Sequence, residues 1–221
     1  AGMIAMTDAG CGRVLAALDR LHLANDTIVL FMADHGDLLG DHWMMNKGPF
    51  HFDGLLRVPF LARWPGRIPA GRVIEAVTSH TDVVPTLLAL TGVAPPDRWP
   101  SPATSAEAPH ELRSLPGRSL VPVLDGSADS VQDAVVIEND EDYLGLRLRT
   151  IVTCDRQLTM YVGEDGEQSY GELVDLKNDP GQLHNRWDDP AMQREKSALK
   201  ERLLAELIRT DSRLPRRHAH A

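Results

Sequence analysis

An aspartate, a histidine and a glycine directly follow an apolar run, and the side chains of the first two could hold a metal ion. Residues 27–32, TIVLFM, lack polar alternation, which is typical of a strand buried on both faces of a parallel sheet. Ligands of such folds lie beyond the carboxyl ends of the strands, where Asp34 and His35 stand. Oxygen plus imidazole suits Ca²⁺, Mg²⁺, Mn²⁺ or Zn²⁺, and Gly36 permits a sharp turn. Alternatively, Asp34 caps a helix and His35 is an ordinary surface residue.

The next candidates for chemistry are a lysine and two histidines in the segment that follows. Lys47 lies among glycine, proline and aromatic residues in NKGPFHF, which also contains His51. Near a metal ion, an ammonium group neutralises a bound oxyanion and its developing charge. His42 and His51 could donate to an oxygen or protonate a leaving group. The alternative for Lys47 is a solvated loop side chain.

The elements that must position these residues follow from the apolar spacing. The first residues form one amphipathic helical face, so the chain opens with a helix already under way. We therefore expect the chain to be the C-terminal piece of a longer protein. Residues 27–32 and 58–64 are predicted strands, and 79–92 is a predicted helix that Ser79 or Thr81 could cap.

The chain is predicted to divide into four parts. Residues 1–92 form an α/β unit, and the proline-rich stretch 93–117 is a surface loop. Residues 118–212 contain short strand-like runs separated by Asp, Gly and Asn, and then an amphipathic helix over 188–209. This pattern predicts an antiparallel meander with a final helix. Residues 213–221 are expected to be a disordered basic tail.

Composition excludes several classes of partner. The formal net charge is −9, from 23 basic and 32 acidic residues, and no basic stripe stands out. This argues against a nucleic-acid partner or a membrane surface. No apolar run approaches the ~20 residues of a membrane span. Cys11 and Cys154 cannot form a disulfide framework and are expected to be buried thiols, so the compartment stays open.

Six segments in this order resemble the sulfatase family of the alkaline-phosphatase-like superfamily: TIVLFMADHGDLLGDH, NK, RVPFLARWPG, SHTDVVPTLLALTG, GRSLVPVLDG and DLKNDP. The resemblance implies an α/β sandwich with a mixed, largely parallel sheet and a smaller C-terminal antiparallel sheet with a helix. Residues 1–92 would be the C-terminal part of the catalytic domain. Asp34 and His35 match the family's second pair of ligands to a divalent cation, with Ca²⁺ foremost and Mn²⁺ or Mg²⁺ open. Lys47 matches the lysine that contacts the sulfate, and His51 is a weaker match to a substrate-binding residue and the leaving-group acid.

Two family motifs have no counterpart in the chain. Sulfatases convert a cysteine or serine of a C-x-P-S-R-like motif to a formylglycine nucleophile, whereas Cys11 reads GCGRV and Cys154 reads TCDRQ. The family's first pair of metal ligands, two adjacent aspartates, also has no match in the chain. We expect both motifs upstream of this chain. The chain alone should therefore be inactive, and it should either self-associate or pair with the N-terminal half.

Three functions remain open at this point. The first is the C-terminal portion of a sulfatase acting on a small-molecule or sugar sulfate ester. The second is a related phosphonate monoester hydrolase or phosphodiesterase, because His35 stands where many sulfatases have asparagine. The third is a non-catalytic scaffold or binding module.

Overall fold

The computed structural model describes residues 2–94, 115–163 and 166–210. They contain a two-stranded sheet near the start of the chain and a four-stranded sheet near its end. Most of the predicted loop 93–117 and all of the predicted tail 213–221 lie outside the described residues.

A long helix and two paired strands open the chain. Helix α1 spans Gly2–Arg20, and none of its residues is buried. Strands β1, Val29–Met32, and β2, Phe60–Arg63, pair antiparallel. Phe31 is opposite Leu61, and these side chains are 40% and 64% exposed. The expectation that this strand is buried on both faces is therefore wrong for the described residues, because an apolar run is buried only where another layer covers it.

The predicted order of helix, strands, helix, antiparallel sheet and final helix is confirmed. The chain is of mixed α/β class, as expected. Both sheets among the described residues are antiparallel, so the parallel pairing that the resemblance implies is not found in this part.

The predicted helix at 79–92 is present and is capped as expected. A 3-10 turn leads into α3, Val83–Thr91. The side chain of Ser79 caps this turn, and the carboxylate of Asp82 accepts a hydrogen bond from the Ser79 amide at 2.8 Å. Gly92 ends α3 in a left-handed conformation, which glycine adopts without steric cost.

Two short helices complete the first part. Helix α2 spans Asp53–Leu56, and α4 spans Val121–Asp125. The apolar residues at α4 contact Phe60 of β2. The amide of Leu120 donates to the hydroxyl of Thr86 at 2.8 Å, which ties the start of α4 to α3.

The second part is an antiparallel meander covered by a helix. Its strands are β3, Ala134–Glu141; β4, Leu146–Thr153; β5, Arg156–Gly163; and β6, Gln168–Asp175, in that spatial order. Helix α5 spans Gln193–Thr210. The core between the sheet and α5 contains Ala134, Ile151, Leu158, Leu173, Leu199 and Leu203.

Two expectations from composition have different outcomes. The expectation of two buried thiols is wrong, because Cys154 is exposed in the turn between β4 and β5 and Cys11 is only half-buried. Across 2–94, 115–163 and 166–210, no helix combines the length and the apolar character that crossing a bilayer needs.

Candidate active site

The turn after β1 is held closely against helix α2. The amide of Gly36 donates to the carbonyl of Leu55 at 2.9 Å. A Cβ atom on Gly36 would lie 1.9 Å from the carbonyl oxygen of Gly54. Only glycine permits this approach of two backbones, so Gly36 is a steric requirement of the turn, whereas Asp34 and His35 carry its chemical signal.

Asp34 presents an exposed carboxylate at this turn. The amide of His35 donates to Asp34 Oδ1 at 3.0 Å. This hydrogen bond and, next, the positive charge that the His35 ring has when it is protonated hold the pKa of Asp34 below its usual value. His80, which the sequence did not single out for this site, supports the turn because its Nε2 donates to the carbonyl of Ala33 at 2.8 Å.

The ring of His35 is oriented by its own backbone neighbour. Its Nδ1 lies 2.7 Å from the carbonyl oxygen of Gly36, and a carbonyl only accepts, so Nδ1 carries the hydrogen. In the neutral ring, Nε2 then has the lone pair. The Nε2 atom lies 3.2 Å from Nζ of Lys47 and 3.6 Å from Oδ2 of Asp34. The structure thus brings together Asp34, His35 and Lys47, three of the predicted site residues.

The loop that leads to Lys47 has an unusual backbone. Four of its non-glycine residues have positive φ, and they are Leu39, His42, Trp43 and Asn46. Such residues are uncommon, and they persist only where the surrounding structure determines them. The loop is anchored by the buried Leu38, whereas Trp43 at its tip is 100% exposed.

His51 lies in a different environment from the other three predicted residues. Its side chain is 4% exposed, and Nδ1 lies 2.7 Å from the hydroxyl of Thr150 on β4. The hydroxyl of Thr150 donates in turn to Thr159 at 2.8 Å, so it accepts from Nδ1. Burial and, second, the charge of Arg149 lower the pKa of His51 to about 4. The ring is therefore neutral at physiological pH and joins the loop to the C-terminal sheet.

Two glutamines, which sequence analysis missed, hold the backbone beside His51. Nε2 of Gln157 donates to the carbonyl of His51, and its Oε1 accepts from Nε2 of Gln182 at 3.1 Å. Oε1 of Gln182 accepts from the amide of Asp53 at 2.7 Å. No sequence motif marks them, since their role depends on contacts between residues far apart in the chain.

A small cavity lies beside these residues. Its volume is about 280 Å³, and it is lined by Asp41, His42, Asp53, Gly54, Gln182 and the neighbouring residues 180, 181 and 183. The ring of His42 stacks on Phe52 with centroids 3.7 Å apart. His42 therefore shapes this cavity, and it is not among the residues that meet at Asp34.

The comparisons with known proteins agree with the resemblance. Residues 1–93 match the profile of the Sulfatase family. The chain is 36% identical over 149 residues to steryl-sulfatase of Mus musculus, covering 62% of this chain, and 28% identical over 209 residues to an arylsulfatase of Clostridium perfringens, covering 93%. The phosphonate monoester hydrolase of Agrobacterium radiobacter has a similar structure, with a TM-score of 0.77, 31% identity and 95% of this chain covered.

Residues 1–93 belong to the Sulfatase family. The fold of the chain is that of the alkaline-phosphatase-like superfamily, as expected from the sequence. The chain spans 22% of the mouse enzyme, 39% of the Clostridium enzyme and 40% of the Agrobacterium enzyme.

The donor set of this chain fits part of a metal site. An ionised carboxylate and an imidazole lone pair face the same space at Asp34 and His35. Ca²⁺ takes about six to eight oxygen ligands. No group of three or more His, Cys, Asp or Glu side chains that could hold a metal ion occurs among the residues that the structure describes. The pair could therefore supply no more than one side of such a coordination sphere.

Proposed function

We propose that the intact protein hydrolyses sulfate esters and that Asp34, His35 and Lys47 form one side of its active site. The observation that supports this most directly is the meeting of a carboxylate, an imidazole lone pair and an ammonium group just beyond β1 in a sulfatase-family chain. The substrate is a small-molecule or sugar sulfate ester, since the similar proteins include steryl-sulfatase and arylsulfatase.

Each residue has a distinct role in this proposal. Asp34 and His35 would hold a divalent cation, with Ca²⁺ foremost and Mn²⁺ or Mg²⁺ as alternatives, which supplies positive charge for the ester oxygens. Lys47 binds a sulfate oxygen and stabilises the charge that develops on it. Because Nε2 of His35 has one lone pair, a cation bound there would replace the hydrogen bond from Lys47 and free the ammonium group for the substrate.

The nucleophile and the first pair of metal ligands are proposed to come from outside these 221 residues, because the chain has no motif that matches them. The test is hydrolysis of 4-nitrophenyl sulfate by the intact protein and by the 221-residue chain. We expect the intact protein to hydrolyse the ester and the 221-residue chain to be inactive. Absence of turnover by the intact, metal-supplied protein would contradict the proposal.

The role of His51 as leaving-group acid stays a prediction. Its burial and its hydrogen bond to Thr150 favour a structural contact. A His51→Asn variant keeps a donor near the position of Nδ1 and decides between the roles. If His51 is the acid, the variant loses rate on alkyl sulfates, which need a proton on the leaving alcohol, and little on 4-nitrophenyl sulfate.

Phosphonate monoester hydrolysis is the second candidate reaction. The 31% identity and TM-score of 0.77 to the Agrobacterium phosphonate monoester hydrolase favour it specifically. Side-by-side assays of an aryl sulfate and an aryl phosphonate monoester on the intact protein separate the two candidates by their kcat/KM values.

The exposed apolar surface supports a proposal on assembly. On α1, Met3, Ile4 and Met6 are exposed, and Phe31 and Leu61 form a second exposed apolar face. We propose that the rest of the protein or a second copy covers these faces, since large apolar patches are uncommon on monomers. Light scattering on the 221-residue chain tests this, and a monodisperse monomer would contradict it.

A further inference from the structure

The C-terminal sheet reaches the Lys47 loop through a directional relay of two side-chain amides. The Asp53 amide donates to Gln182 Oε1, Gln182 Nε2 donates to Gln157 Oε1, and Gln157 Nε2 donates to the carbonyl of His51. The relay therefore starts and ends on the backbone of one short segment, 51–53. We propose that Gln157 and Gln182 are positioning residues that set the place of Lys47 for the ester.

Burial makes this relay selective for a single geometry. Gln157 is 1% exposed and Gln182 is 6% exposed. No buried side-chain nitrogen or oxygen among the described residues lacks a hydrogen-bond partner. A backbone amide only donates and a carbonyl only accepts, so turning either glutamine amide over would leave buried groups unpaired, at a cost of about 1–3 kcal/mol each. The segment consequently has one favoured position against β5.

The fixed segment is connected to both parts of the active site. Toward the start of the chain, Pro49 restricts the backbone between His51 and Lys47. Toward the end, Asp53 begins α2, whose Leu55 carbonyl accepts the hydrogen bond from Gly36 beside His35. A displacement of this segment therefore changes the distance between the ammonium group and the Asp34–His35 pair.

This proposal rests on the proposed function, and its first test does not need activity. Hydrogen exchange is measured on the intact protein and on its Gln157→Leu and Gln182→Ala variants. We expect backbone amides of 50–56 to exchange about tenfold faster in both variants, with α5 unchanged. Gln193→Leu is the matched control, because the Gln193 amide also donates to backbone carbonyls, those of Trp187 and Asp189, away from this loop.

The second test asks whether the glutamines act through Lys47. In the wild-type background, Gln157→Leu should lower kcat/KM for an aryl sulfate about tenfold, because small misplacements of a charge-stabilising group reduce the rate steeply. In a Lys47→Ala background the same change should have less than a twofold effect, since the group that it displaces is gone.

The outcomes separate this proposal from the proposed function. Unchanged exchange at 50–56, or an equal loss of kcat/KM in both backgrounds, would overturn the positioning role. Absence of sulfate-ester hydrolysis by the wild-type protein would contradict the proposed function alone, and the exchange measurement would still decide whether the relay positions the loop.

Discussion

Nζ of Lys47 lies 3.2 Å from Nε2 of His35, although a loop with four left-handed non-glycine residues separates them. The hydrogen bond joins the ammonium group of Lys47, which can bind an anion, with the imidazole of His35, whose lone pair can bind a cation. An oxyanion that binds here would therefore contact positive charge from two sides when a metal ion is also present.

Replacing Lys47 with alanine should lower kcat/KM of the intact protein for an aryl sulfate by about 10²-fold to 10³-fold, as expected for loss of one group that stabilises developing charge. Lys177→Ala is the control, because Lys177 is exposed in the C-terminal part. Steady-state kinetics at fixed metal concentration measures both. A loss of similar size in the control, or none in Lys47→Ala, would refute the assignment.

Replacing Asp34 with asparagine should weaken binding of Ca²⁺ or Mn²⁺ to the intact protein by at least about tenfold, because the ionised carboxylate is replaced by a neutral amide. Isothermal titration calorimetry measures the affinity without any need for turnover. Asp129→Asn is the matched control, since Asp129 is exposed and lies in the turn before β3. Equal affinities in wild type and Asp34→Asn would remove Asp34 from the metal site.

The buried His51 should make stability depend on pH. Burial lowers its pKa from 6.5 to about 4, so the unfolded chain binds more protons than the folded protein between these values. The free energy of unfolding should therefore fall as the pH decreases through this range. Between pH 7.5 and pH 5 this group contributes a loss of about 2 kcal/mol.

Urea unfolding of wild type and His51→Asn at both pH values isolates that contribution, because the other titrating groups are common to the two proteins. Between pH 7.5 and pH 5, the free energy of unfolding of the variant should fall by about 2 kcal/mol less than that of the wild type. Identical losses would mean that His51 is accessible to protons in the folded state.

Two glycine-to-alanine changes should have opposite effects on stability. A Cβ on Gly36 would meet the backbone of Gly54, so Gly36→Ala should destabilise the protein by about 3 kcal/mol or more. A Cβ on Gly12 of α1 meets nothing within 4 Å, so Gly12→Ala should stabilise by up to about 1 kcal/mol through helix propensity. Thermal and urea unfolding measure both, and a tolerated Gly36→Ala would show that the turn is not held against α2.

Local sequence signals predicted much of the structure. The apolar run before Asp34, the Ser79 cap and the meander after residue 117 each depend on residues close together in the chain, and each element is present. The exposure of Phe31 was not predictable, because the run does not specify which layers lie beside it.

The candidate site was predictable only where its residues are neighbours or follow a family pattern. Asp34, His35 and Lys47 meet as their order in the chain had indicated. His51 has the residue type of a catalyst, but its buried contact with Thr150 depends on how the loop packs on the sheet. Gln157 and Gln182 were missed for the same reason, since a single glutamine has no distinctive sequence context.

The separation of these contacts along the chain also has a kinetic consequence. Strands β3 to β6 pair with their immediate neighbours, so the meander forms through short loops and can fold early. The contacts between the Lys47 loop and the C-terminal part join residues 99, 106 and 129 positions apart, and closing such long loops costs more entropy. The Lys47 loop should therefore reach its native place in one of the last steps of folding, on a sheet that is already built.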